Sequence, residues 1–376
     1  MVNGYQVVVC GAGPAGALLA YYLARAGLAV AVLEKERFPR SKPCGGGVTP
    51  KTRRLLPFSI EDVIEDTITR GCLRLHDTLE LAWAEPVCFM VTRRRFDELL
   101  LREAARAGAR VFTGVTVTGA EVHPGGIDVH APEATWRGDL LAVADGAHSR
   151  LAMMARGNRR KRGFAVACRI AANPGVLAGQ RGALSVDLQA VPGGYGWIFP
   201  KKDHLNVGIG TVYPRVRPFK PYLDAYLARE GFPPEAVTFV RGHPLPFEAL
   251  DEGRVAAGRV LLLGDAAGMV DPFTGEGMHT ACLSATLAAE AILARRRHPA
   301  EAGAAYEDMV KNRILGELRG AHFWGRAFYR YRDFACRFLE KRPALARDLW
   351  RLLFCGSYRE IWACLGRYLV RKFGAG

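Results

Sequence analysis

An α/β fold is predicted for this 376-residue chain: parallel strands alternate with helices, an antiparallel β-sheet is interleaved with them, and a helical C-terminal tail follows. Three observations carry that expectation. An apolar run, Val7 to Cys10, enters the glycine-spaced turn Gly11-x-Gly13-x-x-Gly16 and then an apolar helical stretch. Far downstream a second apolar run, Val260 to Leu263, ends in Gly264-Asp265 and is also followed by a helical stretch. Between the two lie short β-rich segments punctuated by glycine and proline, the pattern of an antiparallel layer.

The first run and its turn have the spacing of a Rossmann-like dinucleotide-binding unit. Gly11 permits the tight turn, Gly13 lets backbone approach a pyrophosphate, and Gly16 lets the helix pack on the strand. Residues 17–26 read as that helix, closed by Gly27. A second strand, Leu28 to Leu33, ends in Glu34, 18 residues past Gly16, where a carboxylate can accept from adenosine ribose hydroxyls. Glu34 in place of an arginine argues against a 2′-phosphate there.

Residues 93–107 read as a helix with Phe96, Leu99, Leu100 and Ala104 on one face. Residues 110–117 and 127–136 read as strands, and Leu140 to Ala144 as another that ends in Asp145-Gly146. Segments 163–172, 183–191, 195–200 and 204–212 are β-rich, and 70–91 and 235–244 look extended.

The second glycine segment distinguishes a flavin from a nicotinamide nucleotide. Asp265, at a strand end, can accept from ribitol hydroxyls. The turn through Gly275 and Gly277 into Met278 opens a helix over 278–294, whose free amides and positive dipole end suit the flavin's pyrimidine carbonyls or negative charge on the reduced ring. The plain alternative is a surface turn before a core helix. The cofactor expected is FAD.

The chain is long enough for interleaved domains: a discontinuous FAD-binding domain over 1–70, 92–160 and 245–298, a substrate-binding sheet over 71–91 and 161–244, and a basic, aromatic helical region over 299–376. Apolar residues make up 49% and mean hydropathy is +0.01, which excludes a disordered chain. No apolar run is long enough to span a membrane. The first strand starts too near the N-terminus to leave room for a signal peptide. Nine cysteines without a C-x-x-C pair fit a reducing cytoplasm and no metal site.

The net charge of +15 is uneven, since residues 295–376 hold 18 Lys/Arg against 8 Asp/Glu. In that tail Trp324, Phe328, Tyr331, Phe334 and Phe338 recur at helical spacing, with Arg326, Arg330, Asp333 and Arg337 on the other face. Pro343 and Gly356 bracket a next helix, and Ser357 with Glu360 forms a capping box for a third. Basic and aromatic residues interleaved over 320–373 suit the surface of an anionic membrane. A solvated surface on core-packed helices is the alternative. Nucleic acid is not expected, because the aromatics are needed for packing.

Gly11, Gly13, Gly16 and Glu34, then Arg93 before Phe96-Asp97, then Asp145-Gly146, then Gly264-Asp265 resemble the p-hydroxybenzoate hydroxylase class of flavoproteins, in order and spacing over nearly all of residues 5–294. Two more segments resemble one branch of it, the geranylgeranyl reductase family: Lys42-Pro43-Cys44-Gly45-Gly46-Gly47, and Pro192-Gly-Gly-Tyr195-Gly-Trp197-Ile-Phe199-Pro200. The resemblance implies FAD contacts at Ala15, Lys35, Cys44, Gly45, Gly46, Gly47, Arg93, Val115 and Asp145. It implies a lipid-substrate cavity lined by Tyr195, Trp197 and Phe199. It places Cys44 beside the flavin as the proton-delivery group.

That family saturates isolated prenyl alkenes. Such an alkene is not polarised by a carbonyl, so hydride delivery needs a positioned proton donor. A thiol, ordinarily protonated at neutral pH, can serve. An ordered water between Cys44 and Trp197 or Tyr195 is a second route, and a thiol that merely packs is a third reading. Tyr195, Trp197 and Phe199 read equally as an alternating strand that feeds the core.

The leading expectation is an FAD-dependent reductase of geranylgeranyl-type chains on a lipid, quinone, pigment or diphosphate, fed by NAD(P)H or ferredoxin, cytoplasmic with a peripheral membrane contact. A flavin-dependent aromatic hydroxylase or halogenase is the first alternative, though a halogenase Trp-x-Trp-x-Ile-Pro segment is lacking. A non-catalytic, membrane-docked flavin electron carrier is the second, and it requires no deep apolar pocket beside the flavin.

Overall fold

The computed structural model describes residues 4–153, 162–212, 216, 218–247 and 254–373. In chain order its strands are β1 (Gly4–Cys10), β2 (Val30–Glu34), β3 (Gly47–Val48), β4 (Ile64–Ile68), β5 (Arg70–Arg74), β6 (Thr78–Ala82), β7 (Cys88–Val91), β8 (Arg110–Thr113) and β9 (Gly119–His123). The rest are β10 (Gly126–Ala131), β11 (Ala134–Val143), β12 (Arg162–Ile170), β13 (Ala183–Asp187), β14 (Gly194–Pro200), β15 (Leu205–Thr211), β16 (Val237–Pro246), β17 (Ala256–Ala257) and β18 (Val260–Leu262).

An eight-stranded sheet runs β17-β18-β11-β1-β2-β8, parallel from β18 to β8, with β9 and β10 as an antiparallel extension of β11. Its central strands are continuous apolar runs because helices cover them. Val7, Val8 and Val9 are fully buried. The helix Pro14–Arg25 packs against both Arg93–Arg106 and Met278–Ala294, which brings the two glycine segments together.

A seven-stranded sheet runs β16-β12-β15-β14-β13-β5-β6, antiparallel except for β13 with β5. The extended 70–91 stretch divides: β5 and β6 join this sheet, whereas β7 pairs with β3 and β4 in a small third sheet. One face of the seven-stranded sheet packs on the helix Lys220–Arg229 through Leu223 and Tyr226. The β5–β6–β13 end is covered by Cys336 and Trp350 of the tail.

Several expected bounds shift. The reading of 127–136 as one strand is corrected: a hairpin turns between Ala131 and Ala134, and β11 continues unbroken through Gly138 to Val143. Gly138 does not break the strand; a Cβ there would lie 3.0 Å from Val8 Cγ2, so glycine eases close packing on β1. The 110–117 strand ends at Thr113 and the 183–191 strand at Asp187. The tail is helical throughout, as Gly316–Arg330, Arg332–Glu340, Pro343–Cys355 and Tyr358–Phe373. The single aromatic face from Trp324 to Phe338 is corrected too: the helix breaks at Tyr331, and Tyr331 and Phe334 are exposed at 64% and 72%. The capping box forms as expected. Ser357 N donates to Glu360 Oε2 at 2.6 Å, and Glu360 N donates to Ser357 Oγ at 3.4 Å. The Phe373 side chain lies outside the described residues.

Candidate active site

In the turn after β1, Gly11 adopts φ +99°, and a Cβ on it would sit 2.4 Å from Ala144 O. A Cβ on Gly16 would sit 1.9 Å from Gly11 O, so strand and helix approach as the spacing predicts. Gly13 differs. The only atom near its would-be Cβ is an Arg40 nitrogen at 3.8 Å, which leaves the space over its backbone open. Glu34 is buried at the end of β2, where Oε2 accepts from Ala12 N at 2.7 Å and Oε1 from Glu36 N at 2.9 Å. Lys35 beside it is exposed, and Val115 donates its N–H to Glu34 O. Burial pushes the Asp145 carboxyl up to about 6. Asp145 Oδ1 is buried with no hydrogen-bond partner. An orphaned acceptor beside an open glycine backbone fits a bound dinucleotide that brings hydroxyl donors.

The next cluster lies where β18 meets the Cys44 loop. Asp265 pairs with Lys42 at 3.0 Å and faces His243 Nε2 at 3.7 Å. Burial alone would raise its pKa, but Lys42 and His243 hold it well below the usual carboxylate range. Arg93 is buried in a bidentate pair with Asp97, at 2.6 and 2.7 Å, and Arg40 joins Asp97 at 2.9 Å. Gly275, Gly277 and Met278 lead into the helix Met278–Ala294 as expected. A contact not foreseen holds this turn. Glu276 pairs with Lys51 at 3.0 Å and accepts from Thr49 Oγ1 at 3.0 Å, while Lys51 Nζ also donates to Leu353 O in the tail.

On β14 the side chains alternate. Tyr195, Trp197 and Phe199 face a cavity, while Ile198 and the backbone at Gly196 face Tyr226 of the helix Lys220–Arg229. Gly208 on β15 makes room for the indole, since a Cβ there would lie 2.3 Å from the Trp197 ring. Tyr195 OH donates to Thr274 O and Trp197 Nε1 donates to Asn206 Oδ1 at 2.9 Å. Burial pushes the Tyr195 phenol up, so it stays a donor. Both polar tips are therefore committed to protein partners, and the wall presents carbon.

Opposite that wall sits half-buried Cys44, whose Sγ accepts from Gly46 N at 3.3 Å. Phe199 closes on this loop, because a Cβ on Gly45 would lie 2.8 Å from its ring. Gly47 packs similarly on Cys88 Sγ. Buried Lys201, another residue that sequence reasoning missed, donates to Gly45 O at 2.8 Å and Gly46 O at 3.3 Å.

These parts border one cavity of about 630 Å³. It gathers Gly13, Ala15, Cys44, Gly45, Gly46, Gly47, Arg93, Asp265, Gly275, Gly277, Met278, Tyr195, Trp197 and Phe199. Gly11, Gly16, Glu34, Lys35, Val115 and Asp145 lie beyond its lining. The far side is apolar and belongs to the tail: Trp324, Phe328, Phe338, Trp350, Phe354 and Leu365. An electron carrier does not need such a pocket.

Family models match both halves of this arrangement. One for an FAD binding domain covers residues 4–164, and one for a geranylgeranyl reductase catalytic domain covers 181–242. Over 304 residues the chain is 32% identical to the geranylgeranyl diphosphate reductase of Rhodobacter capsulatus, covering 77% of this chain and 75% of the relative. This chain belongs to the geranylgeranyl reductase family. Another relative, the menaquinone reductase of Mycobacterium tuberculosis, is 32% identical over 319 residues and 77% of both chains. The fold also matches a crystal structure of a geranylgeranyl bacteriochlorophyll reductase-like protein from Thermoplasma acidophilum, with TM-score 0.80, 20% identity, and 94% and 96% of the two chains covered. Within this chain, the catalytic-domain match spans Tyr195, Trp197 and Phe199, and the FAD match spans Cys44, Arg93 and Asp145.

Proposed function

We propose that this protein is an FAD-dependent oxidoreductase that saturates C=C bonds of a geranylgeranyl-type prenyl chain. The observation that carries the reading is the shape of the cavity. It begins between the Cys44 loop and the Gly275–Met278 turn, passes the Tyr195–Trp197–Phe199 wall, and continues among apolar tail side chains.

In this reading Gly13, Ala15, Glu34 and Asp145 would hold the nucleotide half of FAD, with Gly11 and Gly16 shaping the turn and Lys35 and Val115 bordering it. Asp265, Arg93 and the loops at Gly45–Gly47 and Gly275–Met278 would hold the flavin half. Bound and reduced, FAD supplies the hydride. Cys44 gives the proton to the other alkene carbon. Trp197 presents its π-face to the cationic charge that develops there. The Tyr195 and Trp197 hydrogen bonds to Thr274 and Asn206 keep polar donors away from the chain and hold the wall rigid. The electron donor is a nicotinamide nucleotide or ferredoxin. The enzyme is cytoplasmic and meets anionic membrane through residues 320–373. No described helix is long and apolar enough to cross a membrane.

The test is anaerobic incubation of FAD-loaded, chemically reduced protein with geranylgeranyl diphosphate and, separately, with a geranylgeranyl lipid in vesicles. Mass spectrometry should show products heavier by two hydrogens per bond. A flavin that stays reduced, with no saturated product from either substrate, would sink the reading.

A further inference from the structure

Lys201 sits in the turn that joins β14 to β15, closed by Lys201 N donating to His204 O at 2.9 Å. Its side chain does not reach solvent and is 3% exposed. It does not border the cavity either. It lies behind the Cys44 loop, where its three ammonium protons meet Gly45 O at 2.8 Å, Gly46 O at 3.3 Å and Met90 Sδ at 3.6 Å. Among the described residues no carboxylate lies within ion-pair distance of it. A buried charge satisfied mainly by two backbone carbonyls is costly to keep. Burial pulls its pKa down to about 8, against the opposing pull of Cys44, Cys88, Glu65 and Asp66.

The geometry shows what the charge faces. Gly45 C=O and Gly46 N–H belong to one peptide unit. The carbonyl end accepts from Lys201, and the N–H end donates to Cys44 Sγ at 3.3 Å. The ammonium therefore polarises the same peptide whose N–H meets the sulfur, and hydrogen bonds linked in this way strengthen one another. Gly46 holds the peptide at φ +70°. A Cβ there would collide with Val91 O at 2.1 Å and press on Lys201 Nζ at 3.0 Å. Val91 N fixes Gly46 O from the other side at 2.8 Å.

We propose that Lys201 is a positioning residue that, through the Gly45–Gly46 peptide, orients Cys44 and stabilises the negative charge left on its sulfur when the proton leaves. This rests on the proton-donor role of Cys44 given above. In that step the S–H bond breaks, its proton forms one new C–H bond, and the S–H electron pair stays on sulfur. The other alkene carbon receives the hydride, the alkene is reduced and the flavin oxidised. The thiolate regains a proton from solvent. Arg93 also borders the cavity and its charge reaches Cys44, but its guanidinium is tied up in the bidentate pair with Asp97; Lys201 is the cation bonded to the peptide that meets the sulfur.

The test reads the thiol directly. FAD-loaded wild-type, Lys201→Gln and Lys201→Met proteins are treated with iodoacetamide at pH 7.5, and alkylation at Cys44 is followed by peptide mass mapping. Loss of the charge should slow alkylation about three- to tenfold. Lys201→Gln keeps a donor for Gly45 O, so it decides the matter if Lys201→Met does not fold. Unchanged or faster alkylation in Lys201→Gln overturns the proposal; a faster rate would mean that Lys201 only anchors the loop and that its loss exposes the thiol. The outcome is separate from that for Cys44 itself, because alkylation needs no alkene turnover.

Discussion

Tyr358, the first residue of the last helix, donates a 2.7 Å hydrogen bond to Asp271 Oδ2, 87 residues earlier in the chain. Asp271 also accepts from Phe273 N and Thr274 N, both at 2.8 Å, and so shapes the turn that leads to Gly275 and Gly277. The tail is thereby latched to the turn that leads into the helix Met278–Ala294. Lys51 makes the second latch, through Glu276 and Leu353 O.

Tyr358→Phe should destabilise the protein by about 1–3 kcal/mol, since it strips a partner from a buried carboxylate. Burial already raises the Asp271 pKa, while Thr274 N–H and Tyr358 OH hold it down. Removal of the hydroxyl raises it further, so the loss should be larger at pH 7 than at pH 4, because falling pH favours the neutral carboxyl, which needs the hydroxyl less. Urea unfolding at the two pH values checks this. An equal loss at both would place the effect in packing alone.

Asp145 gives a second pH signature. Its folded pKa of about 6 lies above the unfolded value near 4. Stability from this group is therefore fully present below about pH 4 and is lost as pH rises through about 6. Asp145→Asn should stabilise FAD-free protein at pH 8 by about 2 kcal/mol, leave it little changed at pH 4, and weaken FAD binding. Thermal midpoints of FAD-free protein across pH, with FAD titrations at pH 8, read both effects.

The nucleotide and ribitol ends should be separable. Glu34→Ala and Asp265→Ala are each expected to weaken FAD binding by about 1.5–3 kcal/mol, the usual worth of a hydrogen bond to a charged group. Asp265→Ala also frees Lys42, to which it is paired at 3.0 Å. Fluorescence titration with FAD measures each. Wild-type protein that takes up no FAD on reconstitution would end the flavoprotein reading.

Cys44→Ser should retain FAD and flavin reduction but slow alkene saturation at least tenfold, because a hydroxyl is a far weaker acid than a thiol. Single-turnover oxidation of reduced flavin by a prenyl substrate isolates that step. A wild-type rate would remove the thiol as donor.

Much of the site was legible because its signals are local. Gly11 and Gly16 announce themselves by spacing, and the structure shows why, with would-be Cβ contacts of 2.4 and 1.9 Å. The Tyr195–Trp197–Phe199 alternation translates directly into one face of β14. Lys201 and Lys51 left no trace, because a lysine's burial is decided by partners 111 and more residues away in the chain. The division of 127–144 into two strands broke at the wrong place, because the hairpin turn falls at 131–134 and β11 runs on to Val143. The tail's aromatics were read as a membrane face, but most of them turn inward, since Trp350 and Phe328 complete a core that the sheet alone cannot close.

What remains outside defines the last prediction. Phe323, Tyr331, Phe334 and Trp362 are exposed at 51%, 64%, 72% and 57%, and Arg326, Arg330 and Arg337 are exposed around them. Phe334 also borders the cavity, so the cavity reaches the surface within this basic aromatic patch. A prenyl lipid is barely soluble and must be collected from a bilayer. Each basic residue near anionic headgroups contributes about 1 kcal/mol, screened by salt, and the aromatics add interfacial burial. The protein should float with anionic vesicles at low salt, be released at high salt, and ignore zwitterionic vesicles. Arg326, Arg330 and Arg337 changed together to Gln should abolish flotation while FAD binding is kept. Failure to float with either vesicle type at low salt would leave the patch as ordinary surface and favour a soluble substrate such as the free diphosphate.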